Sequence, residues 1–148
     1  MPWLFFLLIV LVDQGTKALV QHTMHLRESI PLVGTILRIT YIRNPKGAFG
    51  LPLGGNTVFV IVSVLAVFLI LSYLLRMPKE KRWSRMALSP VLGGAVGNLI
   101  DRLRFGEVID YIDIGVGNTR WPVFNVADIG VTVGVALLFF ALFLKKES

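Results

Sequence analysis

Apolar residues fill four runs of this chain, roughly Met1–Val20, Asn56–Arg76, Arg85–Leu103 and Phe124–Leu144. Each is close to the ~20 residues that an α-helix needs to cross a hydrocarbon core of ~30 Å. This leaves few choices of fold, because lipid offers no hydrogen bonds and every backbone N–H and C=O must be paired within the protein. Runs of this length satisfy that demand as helices. The second run is the cleanest, with no charged residue before Arg76. The chain as a whole is 55% hydrophobic over 148 residues, with a mean hydropathy of +0.73. A water-soluble domain of this length is less apolar. The expected architecture is an all-α integral membrane protein: four transmembrane helices in a single membrane-embedded domain spanning residues 1–148.

The first run does not read as a cleaved secretory signal. It lacks a basic leading segment and a small-x-small cleavage site, and Asp13 and Lys17 interrupt its apolar character. An uncleaved helix is expected. The net charge of +6 raises the question of a nucleic-acid partner, but the basic residues are distributed otherwise. Arg76, Lys79, Lys81, Arg82 and Arg85 crowd the link between the second and third runs, and Lys145 and Lys146 follow the fourth. The positive-inside rule assigns both regions to the cytoplasm, with anionic headgroups as the default partner of the cluster. Both termini are then cytoplasmic, and the longer loops, Gln21–Gly55 and Arg104–Val123, face outward.

Within the outer loops, Leu37, Ile39 and Tyr41 alternate with Arg38, Thr40 and Ile42, an imperfect period of two that predicts a strand. Ile109–Ile114 and Thr119–Val123 flank a Gly115-Val116-Gly117-Asn118 turn signal, the pattern of a hairpin. A small extracytoplasmic β element is expected from these two loops.

Cysteine is absent, which removes disulfides, thiol catalysis and thiolate metal sites. The two histidines, His22 and His25, have no accompanying carboxylate motif and read as a solvated pair. No metal and no cofactor are expected.

Polar residues within apolar runs carry more information, since an ionised group in hydrocarbon costs several kcal/mol. Asp13 and Lys17 stand four apart and share a helical face. Gly94, Asn98 and Asp101 share another, with Arg102 adjacent to Asn98, and Asn125, Asp128 and Thr132 share a third. With cytoplasmic termini, all three groups lie toward the outer leaflet. The second run contributes no polar group and is expected only to pack. Gly93 and Gly97 form a G-x-x-x-G, which reads as close helix packing. Bland readings compete for each residue: Asp13–Lys17 as a structural ion pair, Asn125 and Asp128 as a helix cap, Asp110 and Asp113 as solvated loop acids. Chemistry alone does not rank the aspartates.

These residues also fall into motifs. Asp13-Gln14-Gly15-Thr16-Lys17 resembles the D-Q-x-[ST]-K block of bacterial lipoprotein signal peptidases, also called signal peptidase II. Asn44-Pro45-Lys46-Gly47-Ala48-Phe49-Gly50 resembles their N-x-G-x-A-F block, with Lys46 where the family usually has the glycine. Gly93-Gly94-Ala95-Val96-Gly97-Asn98-Leu99-Ile100-Asp101-Arg102 is similar to G-G-A-x-G-N-x-x-D-R, Val108-Ile109-Asp110-Tyr111 to V-x-D-[FY], and Phe124-Asn125-Val126-Ala127-Asp128 to F-N-x-A-D. The blocks occur in family order over nearly the whole chain. The resemblance implies an aspartic endopeptidase of the bacterial inner membrane. Its substrate would be a diacylglyceryl-modified prolipoprotein, cut just before the lipidated cysteine. It implies Asp110 and Asp128 as the catalytic pair, and Asp13, Lys17, Asn44, Asn98, Asp101, Arg102 and Asn125 as supporting or substrate-binding residues. Membrane phospholipid is the other partner implied, with no nucleic acid and no obligate protein partner. Three rivals remain open on the residues alone. A metal-dependent head-group transferase needs a denser aspartate run, a proton relay needs polar groups across the whole membrane, and a structural bundle would tolerate loss of both aspartates.

Overall fold

A computed structural model describes residues 2–45 and 55–144. The Lys46–Gly50 portion of the second motif, Lys145 and Lys146 lie outside the described residues. Among the described residues, four helices and four short strands follow one another in the order α1 (Pro2–Thr23), β1 (Ser29–Val33), β2 (Leu37–Asn44), α2 (Asn56–Arg76), α3 (Arg82–Phe105), β3 (Val108–Val116), β4 (Thr119–Arg120) and α4 (Val126–Leu144). The helices follow the apolar runs, with ends displaced by a few residues where polar sequence continues the helix. α3 begins at Arg82 and its last turn closes on Gly106, whose backbone N–H donates to the carbonyl of Arg102.

α3 is the hub, packing against α1, α2 and α4. Its glycines permit this. A methyl group at Gly93 would meet Cβ of Ile9 at 2.9 Å, and one at Gly97 would meet Oδ2 of Asp13 at 2.5 Å. The G-x-x-x-G therefore lies against α1, as expected of a packing motif. One apolar cluster joins Leu74 and Met77 to Leu88 and Leu92 at the α2–α3 corner. There Arg85 donates to the carbonyls of Leu74 and Met77 at 3.1 and 2.6 Å, so one member of the basic cluster closes the end of α2.

Outside these contacts the helices present apolar side chains. Leu4, Leu11, Leu65, Phe68, Leu69 and Phe140 are each more than half exposed, at 62, 69, 54, 63, 63 and 64%. Surface of this kind, continuous along a helix, belongs in lipid or at an interface. α1 and α2 are each long and apolar enough to cross a membrane, and the apolar part of α4 is shorter, Val126–Ala141.

The strands form one antiparallel sheet in the order β1-β2-β3-β4. β2 and the β3–β4 hairpin occur where alternation and the turn signal predict them. Gly117, at φ +57°, opens the two-residue loop between Val116 and Thr119. The return strand is shorter than expected, and beyond Arg120 only Phe124 rejoins β3, opposite Ile112. β1 is an addition. Its Pro31 conceals it in the sequence, yet proline is tolerated on an edge strand, and β1 is the edge. A bulge in β2 between Ile39 and Ile42 shifts the register against β3. The sheet sits over the bundle end formed by the C-terminal turns of α1 and α3 and the first turn of α4. A second cluster there, Val20, Met24, Tyr41, Ile109 and Tyr111, fixes β3 on α1.

Candidate active site

Every polar residue singled out in the helices comes to this end of the bundle. Asp13, Lys17 and Asp101 are 0, 1 and 1% exposed and form one ion cluster, with Lys17 Nζ at 2.8 Å from each carboxylate. Isolated charges at such depth would be very costly, and mutual pairing offsets that cost. The two carboxylates also satisfy backbone donors. Asp13 Oδ1 accepts from the N–H of Ala127 in the first turn of α4 at 2.9 Å, and Asp101 Oδ2 accepts from the N–H of Ile109 on β3 at 3.1 Å. The cluster therefore ties α1 to α4 and α3 to β3. Gln14 completes it, donating to Asp13, Asp101 and the carbonyl of Gly97 at 3.1 Å each.

Asn125 immediately precedes α4 and caps it. Its Oδ1 accepts from the N–H of Asp128 at 2.9 Å, and Asp128 Oδ2 accepts from the N–H of Asn125 at 3.2 Å. This is a reciprocal capping box, with aspartate in the place usually held by glutamate. Capping thus does occur here, and it is also what aims the Asp128 side chain. The remaining half of Asn125 reaches across to β3, where Nδ2 donates to Asp110 Oδ1 at 2.8 Å. One fully buried asparagine therefore holds both aspartates. Asn98 on α3 donates to Asp128 Oδ1 at 2.9 Å, and Asn44 at the end of β2 donates to Asp110 Oδ2 at 3.2 Å.

The surroundings of the two acids differ. Asp110 is 3% exposed, whereas Asp128 is half-buried. Burial, reinforced by the nearby Asp128 charge and opposed by the Asn44 and Asn125 hydrogen bonds and by Lys17, pushes the Asp110 carboxyl up to about 7. Both aspartates line a cavity of about 700 Å³, bounded by Asn44, Asn98 and Arg102 on its polar side. Val62, Ala66, Ala95, Ile129, Val131 and Val133 make its apolar wall, and Trp121 and Pro122 its rim. Polar groups at one end of an apolar cavity suit a substrate that is itself part peptide and part hydrocarbon.

α2 was expected only to pack, and the structure corrects this. Ser63 lies on the cavity and accepts from Arg102 at 3.5 Å, and the Arg102 guanidinium stands 5.9 Å from the centre of the Phe59 ring. A serine flanked on both sides by apolar residues carries no periodic signal that would single it out. Gln14 and Tyr111, whose hydroxyl meets Thr16 at 2.5 Å, were quoted in the motifs without a role, and Ser63 was passed over. Asp113 stands apart. It pairs with Arg120 at 2.8 Å and with Thr40 at 2.8 Å on the sheet. His22 and His25 are exposed, and among the described residues no group of three or more His, Asp or Glu side chains is placed to hold a metal.

A helical bundle with lipid-suited surfaces, capped by a sheet and holding two carboxylates at the wall of a partly apolar cavity, has the form of a membrane-embedded enzyme. Residues 5–144 match the sequence profile described as Signal peptidase (SPase) II, peptidase family A8. The chain is 42% identical over 145 residues to the lipoprotein signal peptidase of Moorella thermoacetica, covering 97% of this chain and 94% of that one. It is 40% identical to the lipoprotein signal peptidase of Syntrophus aciditrophicus, covering 99% and 97%. Two bacterial membrane enzymes solved by the in meso method superpose with TM-scores of 0.89 and 0.87, at 32 and 33% identity. Each comparison covers 99% of this chain, and the other chains are covered to 92 and 94%. The chain belongs to the signal peptidase II family; it is a peptidase and an integral membrane protein.

Proposed function

We propose that this peptidase removes the signal peptide from diacylglyceryl-modified prolipoproteins, cutting just before the lipidated cysteine, with Asp110 and Asp128 as the catalytic pair. The observation that carries the reading is the single asparagine, Asn125, that hydrogen-bonds both carboxylates at the wall of a partly apolar cavity. Amide hydrolysis needs an activated water and a proton donor. Two adjacent carboxylates that share one proton supply both, because their mutual repulsion separates the two ionisations. Positioned acid–base groups contribute on the order of 10²–10⁴-fold. Asn98, Asn125 and Asn44 orient the carboxylates, and Arg102, at the cavity edge, is suited to hold a substrate carbonyl. Asp13, Lys17 and Asp101 hold the helices and β3 in register beneath them.

The same reading places residues 1–148 in one domain with four membrane spans, in the bacterial inner membrane. Both termini are cytoplasmic, and the sheet and cavity lie toward the outer leaflet. The basic link between α2 and α3 at one end, and the polar site at the other, support this orientation. The acyl chains and the apolar signal helix would lie against the Val62–Ala66 and Ile129–Val133 walls. The partners are the prolipoprotein and membrane phospholipid. Neither nucleic acid, an obligate protein partner, a metal nor a cofactor is required. The test is incubation of the purified protein with a lipidated prolipoprotein, with and without EDTA. Cleavage before the modified cysteine in both is expected. Loss of activity with chelator, restored by metal, would overturn the metal-free mechanism.

A further inference from the structure

A second cavity lies apart from the active site. It measures about 240 Å³ between α1, α3 and α4, and no residue of α2 lines it. Phe5, Leu8 and Ile9 of α1, Met86 and Pro90 of α3 and Leu137 of α4 form most of its wall, and none of its lining residues has a polar side chain. Leu8 and Leu137 are exposed, so the cavity is a groove that opens on the outside of the bundle. Water has no polar partner there, and hydrocarbon is the medium that suits it. The groove is too small to seat a helix, which is ~10–12 Å across with its side chains. An acyl chain is the slimmer apolar body that a membrane supplies.

One end of the groove carries free cations. Arg82, Met86 and Pro90 stand four apart on α3 and share a face, so Arg82 lies one turn beyond the lining residue Met86. Arg82 and its neighbour Lys81 are exposed, and neither side chain forms a hydrogen bond or ion pair with any described residue. Lys81 is the N-cap of α3, and the first turn of that helix holds no acid. Two cations at the positive end of a helix dipole disfavour each other and the helix, and an anion seated between them would offset both. Trp3 on α1 and Trp83 on α3 lie at this same end, the level at which tryptophans meet lipid headgroups. We propose that the groove is a site for an anionic phospholipid of the cytoplasmic leaflet, with one acyl chain between α1, α3 and α4 and its phosphate at Lys81 and Arg82. Charge complementarity of this kind is how basic pockets between membrane helices hold headgroups. The choice of leaflet rests on the reading of both termini as cytoplasmic; the class of lipid does not.

The test titrates lipid into the whole chain in mild detergent and reads binding from the rise in unfolding temperature. Phosphatidylglycerol should act at about tenfold lower concentration than phosphatidylcholine with the same acyl chains. Glycerol phosphate, which has the headgroup charge and no chain, should have no effect. Lys81→Gln/Arg82→Gln should abolish the preference between the two lipids. Arg76→Gln/Lys79→Gln removes the same charge from the α2 end of the link, away from the groove, and should keep it. Leu8→Trp, which fills the groove, should weaken the response to both lipids. Equal responses to the two lipids in the wild type overturn the proposal, as does the same loss of preference in both double variants. So does an unchanged response in Leu8→Trp, or stabilisation by glycerol phosphate alone. A mass in detergent that doubles with protein concentration, and fails to do so in Leu8→Trp, would give the groove to a second copy of the chain instead. The leaflet is tested separately with Glu80→Cys, since the chain has no other thiol. A membrane-impermeant maleimide should label it only after spheroplasts are opened. Labelling of intact spheroplasts would overturn the orientation, and with it the leaflet, whereas a failed titration with the expected labelling would overturn the lipid site alone.

Discussion

Asp110 and Asp113 stand three residues apart on the same strand, both nearly buried, and their surroundings drive them in opposite directions. Asp110 faces the cavity, where burial and the Asp128 charge raise its carboxyl to about 7. Asp113 is also raised by burial, but the hydrogen bonds of Thr40 and Arg120 and the charges of Arg120 and Arg38 outweigh that, and its carboxyl is lowered. The odd spacing puts the two side chains on opposite faces of the strand, one toward the helices and one toward the sheet's own arginines. The contrast teaches that acidity on this strand follows how far burial is offset by hydrogen bonds and opposite charge. A carboxylate beside another carboxylate becomes a proton donor near neutral pH, and one beside a guanidinium becomes a structural anion.

The comparison breaks most directly by substitution. Asp110→Asn and Asp128→Asn are each expected to lower prolipoprotein cleavage by roughly 10²–10⁴-fold or more, with folding retained, whereas Asp113→Asn keeps activity within a few-fold. Side-by-side turnover assays check this, and an Asp113 variant as inactive as the other two would erase the distinction.

Next in size is Asn125, which joins a cap to a bridge. Asn125→Ser retains an oxygen able to cap α4 but has no amide to reach Asp110. Its activity should fall on the order of tenfold or more, with stability changed by less than about 1 kcal/mol. Asn125→Ala loses both functions and should show the same loss of rate together with a lower unfolding temperature. If serine restored full activity, the bridge to Asp110 would have no role in the rate.

Much of this was readable in the chain. The helices follow from run length, and α2 occupies the same residues in sequence and structure because Gly55 and Met77, in extended conformation, flank an uninterrupted apolar segment. The hairpin was readable from Gly117-Asn118. The polar stripes on α1, α3 and α4 were readable from helical spacing. What the spacing could not supply is pairing between elements. Lys17 was matched to Asp13 within its own helix, but its bond to Asp101 crosses to α3. Asp101 was placed on a helical face with Gly94 and Asn98, but its bond to the N–H of Ile109 on β3 lies outside what that face reports. β1 was hidden by Pro31, and Ser63 by the apolar run around it. Helical period reports one face at a time, and the contacts that select Asp110 from Asp113 form only when faces meet.

The pH dependence sharpens the contrast further. Because the Asp110 carboxyl is raised to about 7, the proton it supplies is lost as pH rises through that value, and kcat/KM should decline above about pH 7. The decline belongs to the pair as a titrating unit. The linked stability has a definite sign. Between the unfolded value of 3.8 and about 7 the native state binds the extra proton, so this group makes the protein less stable as pH rises across that window. Thermal unfolding of Asp110→Asn against wild type should show the variant gaining relative stability over the same interval.

Asp113 should give the smallest effect and the opposite sign. Its folded-state value is lowered, so its contribution is fully present above the unfolded value of 3.8 and is lost as pH falls through the lowered one. The group bonds Arg120 and Thr40, which link β4 and β2 to β3, at the exposed end of the sheet. A partly exposed ion pair with neighbouring hydrogen bonds is worth about 1 kcal/mol. Asp113→Asn should therefore lower unfolding stability by about that amount at pH 7, and the difference should shrink below pH 3.8 as the wild-type carboxyl becomes neutral. Salt should reduce it as well, since Arg120 remains partly open to solvent. A difference independent of both pH and salt would mean that Asp113 acts through shape alone, and the opposition between the two aspartates would then rest on Asp110 only.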